Sequence, residues 1–267
     1  MNDTKIILTS ASELMSRMEL LGDENQKNIL KRFFKTGKGE YGEGDEFLGI
    51  KVPATRNVAL SAAGLPPYET EKLLASPIHE IRLCGFLVLV EQFRKVSGKK
   101  AASEQDSMQA REDIVNFYLQ HTRCANNWDL VDLSAPKIIG QWLVMPSISS
   151  DEEKFHVLDR LASSSNLWEQ RIAMVSTLTP IRHGDFRHVL RYAEQLLFHD
   201  HDLIHKAVGW MLREAGKKDI TILRAFLKKY HATMPRTTLR YAIERMEKDE
   251  RESWMRKTTN RDTKATP

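Results

Sequence analysis

Two cysteines in 267 residues leave little room for a disulfide framework or a thiolate metal centre. Cys84 sits in an apolar run and Cys124 beside an expected helix start. Neither belongs to a CxxC or Cys/His ligand spacing, so reduced thiols of a cytosolic protein are expected. Long apolar runs are missing too. The longest, Phe86 to Val90, is far too short to span a bilayer, and the first residues lack the basic, apolar and small-residue succession of a secretory leader. Strand alternation is hard to find, and β-branched clusters between turn signals are absent. Neither sign of charge dominates: 40 Lys and Arg against 36 Asp and Glu give +4, which permits nucleic-acid binding without demanding it.

What is present is helical period. Ile81, Cys84, Phe86, Leu87, Leu89, Val90 and Phe93 give a helix with a wide apolar face. Leu158, Leu161 and Ala162, and then Ile222, Ala225, Phe226 and Leu227, do the same on a shorter scale. The breaks are short: Gly64–Pro67, Ser97–Lys100, Pro146–Ser150, Pro180–Gly184 and Gly216–Lys218. Ser150 ahead of Asp151, Glu152 and Glu153 is an N-cap signal. Connections this short favour antiparallel helix pairs, so the chain is expected to be all-α.

A weak internal repeat follows. His79–Leu83, Trp128–Asp132, Trp168–Ile172 and Ile204–Val208 each open a helix after a turn. The successive spacings between Arg82, Val131, Arg171 and Ala207 are 49, 40 and 36 residues. That lies around the period of HEAT or armadillo repeats, whose stacking gives a superhelical solenoid with a concave binding face. Residues 35–57 hold five glycines and read as an ordered loop between helices. Gly37-Lys38-Gly39 lacks both the spacing and the preceding strand of a phosphate loop. Residues 1–246 are expected to form one repeat domain, and 247–267 a polar, disordered tail.

The segment Asn126-Asn127-Trp128-Asp129-Leu130-Val131-Asp132 reads as a helix start, with Asn126 or Asn127 as N-cap and Asp129 in the first turn. Trp128 and Asp132 are four residues apart and share a face. A large flat ring beside a carboxylate suits a surface that meets something both apolar and positively charged. Arg171 and Trp210 stand at comparable places in later repeats, and in a solenoid equivalent places line one surface. Each has a purely structural alternative. Trp128 could staple a helix start, and Asp132 could pair with Lys137 or cap a neighbouring helix. Arg171 could pair with Glu169 or Asp132, and Trp210 could be core.

The segments NNWDLVDLSAPKIIGQWL, LWEQRIAMVSTL, DLIHKAVGWMLREAGKKD and EFLGIKVPATRNVA resemble the bacterial AlkD family of DNA alkylation repair glycosylases, in order and spacing from about residue 20 to 246. The resemblance implies an all-α solenoid of HEAT-like repeats whose basic concave face holds duplex DNA. It matches Asp132 to the family's catalytic aspartate, Trp128 and Trp210 to its two active-site tryptophans, and Arg171 to its active-site arginine. The implied reaction is hydrolysis of the N-glycosidic bond of alkylated purines such as N3-methyladenine and N7-methylguanine, without metal or organic cofactor, and one DNA-sized concave face suggests a monomer. In that family the base stays stacked, and the two indoles embrace the deoxyribose.

The basic residues Lys31, Arg32, Lys35, Lys51, Arg56, Arg82, Arg182, Arg187, Lys206, Arg213, Lys217 and Lys218 are the candidates for phosphate contacts, with Arg213 foremost. At least half of them read equally well as solvated helix faces. No lysine is placed by motif as a Schiff-base nucleophile, so lyase activity is not expected. Two rival readings remain open at this point: a DNA-binding relative without activity, and a HEAT-type scaffold that uses its concave face for a protein partner.

Overall fold

A computed structural model describes residues 7–98 and 104–256. Among these the chain is all-α; the only β-type pairing is an isolated parallel bridge between Glu46 and Ile78. No described helix is long and apolar enough to cross a membrane. Both cysteines are free. Where the sequence suggests a single domain over 1–246, internal contacts group the chain into two compact units, Met1–Phe155 and His156–Pro267.

The first unit contains α1 (Ala11–Glu19), α2 (Glu24–Phe33), α3 (Val52–Ser61), α4 (Pro67–Leu74), α5 (His79–Val96), α6 (Glu104–Gln120), α7 (Trp128–Ser134) and α8 (Ile139–Val144). Its centre is α5, against which α3, α4, α6 and α7 all pack. Every residue of α5 from His79 to Val90 is buried. A helix surrounded on all sides cannot keep a polar stripe, which explains why Leu83–Val90 holds only apolar residues and Gly85. The charged residues at its start, His79, Glu80 and Arg82, are therefore buried as well.

The glycine-rich loop joins α2 to α3 and folds over the start of α5. Gly49 takes φ +89°, and a Cβ there would lie 2.0 Å from the Asp23 carbonyl oxygen, so only glycine fits. The carboxylate of Glu80 accepts three consecutive backbone N–H groups of this loop, from Leu48 at 3.0 Å, Gly49 at 2.8 Å and Ile50 at 3.1 Å. Three N–H groups aimed at one point form an anion nest. Here the nest is filled by the protein's own carboxylate, in keeping with the absence of a phosphate-loop signature.

α9 (Asp151–Ala162) runs from the end of the first unit into the second. The second unit continues with α10 (Leu167–Ser176), α11 (Leu178–Arg182), α12 (Arg187–Leu196), α13 (Asp202–Lys218), α14 (Ile220–Tyr230), α15 (Arg236–Ile243) and α16 (Lys248–Met255). Its centre is α13, against which α10, α11, α12, α14 and α15 pack. Gly209 lets α15 approach: a Cβ there would lie 2.5 Å from Tyr241 Cβ and 2.6 Å from the Thr238 carbonyl oxygen. The start of α9 carries the expected cap. Glu153 N donates to Ser150 Oγ at 3.2 Å, and Ser150 N donates to Glu153 Oε2 at 2.7 Å, a reciprocal capping box.

Three expectations are corrected. Pro180 does not break a helix; it lies in the first turn of α11, where its missing N–H costs nothing. Gly216, Lys217 and Lys218 complete α13 rather than end it, and the break is the single residue Asp219. Part of the segment 247–267 is ordered: Trp254 of α16 packs edge-on against His231 at 5.1 Å, and Arg224 pairs with Glu250 at 2.8 Å. The rest of that tail, 257–267, lies outside the described residues.

Candidate active site

The four repeat segments do open helices: α5 begins at His79, α7 at Trp128, α10 at Leu167 and α13 at Asp202. At α7 the N-cap is Asn127, whose Oδ1 accepts the Trp128 N–H at 2.8 Å. Asp129 follows in the first turn, where a carboxylate complements the helix dipole. The four-residue step from Trp128 to Asp132 carries both side chains onto one face. Together they line a pocket of about 420 Å³.

The other walls are mostly apolar. Phe33 and Phe34 come from the end of α2, Ile50 and Pro53 from the loop and α3, and Leu83 from α5. Lys51, the exposed N-cap residue of α3, is the one lysine among the lining residues. The aromatic groups touch one another. Phe34 lies 5.3 Å and Phe33 5.7 Å from the Trp128 ring, centroid to centroid, within the range for favourable ring contacts. Phe33 keeps 58% of its surface exposed, unusual for a ring this size.

Beneath the pocket lies a group of buried charges. His79 Nδ1 sits 3.1 Å from Asp45 Oδ2, and its Nε2 sits 2.9 Å from Asp129 Oδ2. Arg82 donates to Asp45 Oδ1 at 2.5 Å, to Asn126 Oδ1 at 2.8 Å and to the Ser76 carbonyl at 2.7 Å. Asn126 in turn donates to Asp45 Oδ1 at 2.8 Å. Burial alone would raise the Asp45 carboxyl. The hydrogen bond from His79, the Arg82 charge and the Asn126 amide outweigh it and hold the group below its ordinary value. Burial likewise opposes a charge on His79. The Asp129 charge, with hydrogen bonds to Asp129 and Asp45, overcomes it and raises the imidazole to about 9.

Arg82 is thus not where a phosphate ligand would be: it is 6% exposed and its guanidinium is occupied within the protein. Lys51 and Arg182 are exposed, and Arg56 is half-buried. Lys137, lowered by burial and then by the nearby Arg56 charge, marks a place where cations already crowd one another. In the second unit, Arg171 is 5% exposed and donates to the Leu203 carbonyl at 2.7 Å. Trp210 is half-buried on α13, the helix against which α10, carrying Arg171, packs. Lys206 pairs with Asp202 at 2.7 Å, and Lys217 with Glu214 at 2.8 Å. Arg213 pairs with Glu244 and faces Glu214 at 3.5 Å.

Sequence reasoning did not name Phe33, Phe34 or Asp45, and it read His79 and Asp129 only as residues of helix starts. The available signal was the run His79-Glu80-Ile81-Arg82 ahead of a wholly apolar stretch. Charges on a helix that is buried all round must find partners.

The comparisons with known proteins agree with this architecture. No curated protein matches the sequence. A solved structure described as a predicted DNA alkylation repair enzyme from Enterococcus faecalis matches with a TM-score of 0.59 at 14% identity, over 85% of this chain and 97% of that one. At that identity the match speaks for the fold. The family model of the DNA alkylation repair enzymes matches residues 14–246, most of the sequence, and the chain belongs to that family.

Proposed function

We propose that this protein is a monofunctional DNA glycosylase that hydrolyses the N-glycosidic bond of cationic alkylated purines, such as N3-methyladenine and N7-methylguanine, in duplex DNA. The observation that carries the reading is the pairing of Asp132 with Trp128 on one face of α7, in a pocket whose remaining walls are largely apolar. An alkylated purine with a formal positive charge is already a good leaving group. It needs no general acid, unlike the leaving group of a two-carboxylate glycoside hydrolase. What the reaction needs is stabilisation of the positive charge that develops on the deoxyribose, and a water molecule held on the opposite side. One carboxylate can do both.

A carboxylate about 4 Å from a unit charge, at an effective dielectric of about 20, contributes roughly 4 kcal/mol. That corresponds to about a thousandfold in rate. Trp128 presents an electron-rich face to sugar C–H groups and to the developing cation. By the family resemblance, Arg171 and Trp210 complete the set, Trp210 as the second indole; Arg171, 5% exposed and donating to the Leu203 carbonyl, reaches a phosphate only when that bond opens, a requirement Arg82 would share. Lys51, Arg56, Arg182, Lys206 and Arg213 serve the backbone, which makes affinity steeply salt-dependent and nearly indifferent to sequence. Asp202, Glu214 and Glu244 hold Lys206 and Arg213 until phosphates replace them.

The test is release of methylated bases from methylated duplex DNA by the wild type and by Asp132→Asn. The expected outcome is excision by the wild type, a loss of about a thousandfold in the variant, and unchanged DNA affinity. Full excision by Asp132→Asn would sink the mechanism. Tight DNA binding without excision by either protein would leave a binding-only member of the family.

A further inference from the structure

His79 has no step in the reaction just described, yet it is the most constrained titratable group near it. Both ring nitrogens face carboxylate oxygens, Asp45 at 3.1 Å and Asp129 at 2.9 Å. An ionised carboxylate only accepts hydrogen bonds, so both nitrogens must donate, and only the imidazolium carries two N–H groups. A neutral ring would turn a lone pair on one of the two carboxylates inside a buried site. Arg82 is the second cation of the group. Two acids and two bases close the group at zero net charge.

The ring's surroundings tie it to the site. Phe47 stacks on it at 4.6 Å, and Phe34 lies at 4.7 Å and also touches Trp128. Asp129 directly follows Trp128 and precedes Asp132 by less than one turn. Whatever fixes Asp129 therefore fixes the azimuth of α7 and the place of both side chains in the pocket. α7 is seven residues long, too short to hold its own geometry.

We propose that His79 is a positioning residue. Its imidazolium joins α7, through Asp129, to the glycine-rich loop, through Asp45, and so sets where Trp128 and Asp132 stand. This rests on the reading of those two residues as the reacting pair. The groups facing His79 are Asp45 from the loop and Asp129 from α7; Glu80 and Arg82 flank it on α5, and Lys51 and Asp132 line the same pocket. The folded value, about 9, lies above the free value of 6.5. The clamp is therefore complete below the free value and is lost as pH rises through the folded one.

Two measurements decide it. Nitrogen-15 NMR of the imidazole needs no activity. Both ring nitrogens are expected to resonate as protonated through neutral pH and to titrate together near pH 9; a neutral ring at pH 7 would overturn the proposal. Single-turnover excision across pH is the second. The wild-type rate constant is expected to fall on the alkaline side, and Asp129→Asn to move that fall to lower pH, because one of the two carboxylates that retain the proton is gone. His79→Gln is expected to lose the alkaline fall and, through misplacement of the reacting groups, on the order of a hundredfold in rate, with DNA affinity retained. An unmoved limb in Asp129→Asn, or a wild-type rate in His79→Gln, would refute positioning. If the wild type excises nothing, the glycosylase reading fails by itself. Amide exchange of α7 then decides the clamp: faster exchange in His79→Gln supports it and unchanged exchange refutes it.

Discussion

α7 and α13 each carry one of the two candidate tryptophans, but the charges around them are held in different ways. Around Trp128 the charges are buried and paired in a chain, Asp129 to His79, His79 to Asp45 and Asp45 to Arg82, with stacked rings beside them. Along α13 the cations are at or near the surface. Three of them lean on one or two acidic side chains: Lys206 on Asp202, Lys217 on Glu214, Arg213 on Glu244 and Glu214. A buried ion group contributes mainly by fixing one geometry, because removing one member leaves a charge with nowhere to go. Surface pairs contribute little to stability and exchange partners readily. The first unit thus holds Trp128 and Asp132 through buried charges, whereas the second carries its cations in exchangeable pairs, which on the proposed reading a phosphate takes over.

The comparison can be broken most decisively at Arg82. Arg82→Ala leaves Asp45 buried beside a single cation and is expected to cost about 3–5 kcal/mol in urea unfolding. A loss no larger than that of a surface arginine would mean that the chain of buried charges is not what holds α7. Next in size is Gly209→Ala, which tests packing at α13 rather than charge. The added methyl would press on Tyr241 and Thr238 of α15 and is expected to cost about 1–3 kcal/mol, read from the thermal midpoint. Tolerance there would show that the second unit repacks easily. The smallest effect belongs to Arg191→Ala. It removes a paired but exposed contact, 2.7 Å from Asp159, and should leave the unfolding midpoint within experimental error. A clear loss would erase the distinction between the two kinds of ion pair.

The helical class was legible because apolar period survives in nearly every helix, and the helix start at Trp128 because Asn127 and Asp129 obey capping chemistry. The closeness of Trp128 and Asp132 followed from a four-residue step alone. Pro180 and the Gly216–Lys218 run misled because local propensity is overruled by contact. Proline is harmless in a first turn, and Gly216 gives up its side-chain space in α13 to Leu223 of α14, whose Cδ2 lies 2.5 Å from where a Cβ would stand. The ordered α16 was missed because one large ring, Trp254, anchors an otherwise polar segment. Arg82 was misassigned for a related reason. A charge on a helix reads as solvated until the helix is known to be enclosed, and enclosure is a property of the fold. Asp45, His79 and Asp129 could not be joined from sequence, since no local rule pairs residues so far apart.

That separation has a consequence for how the protein comes into being. Asp45, His79 and Asp129 are separated by 34 and 50 residues, and Asn126 reaches back 81 residues to Asp45. Joining these groups requires long loops to be ordered first, a slow kind of contact in folding. A seven-residue helix has no stability of its own before that closure. The pair Trp128 and Asp132 therefore takes its folded arrangement only when three distant stretches of chain have met, so a nascent or partly unfolded first unit carries the residues of the candidate site without its pocket.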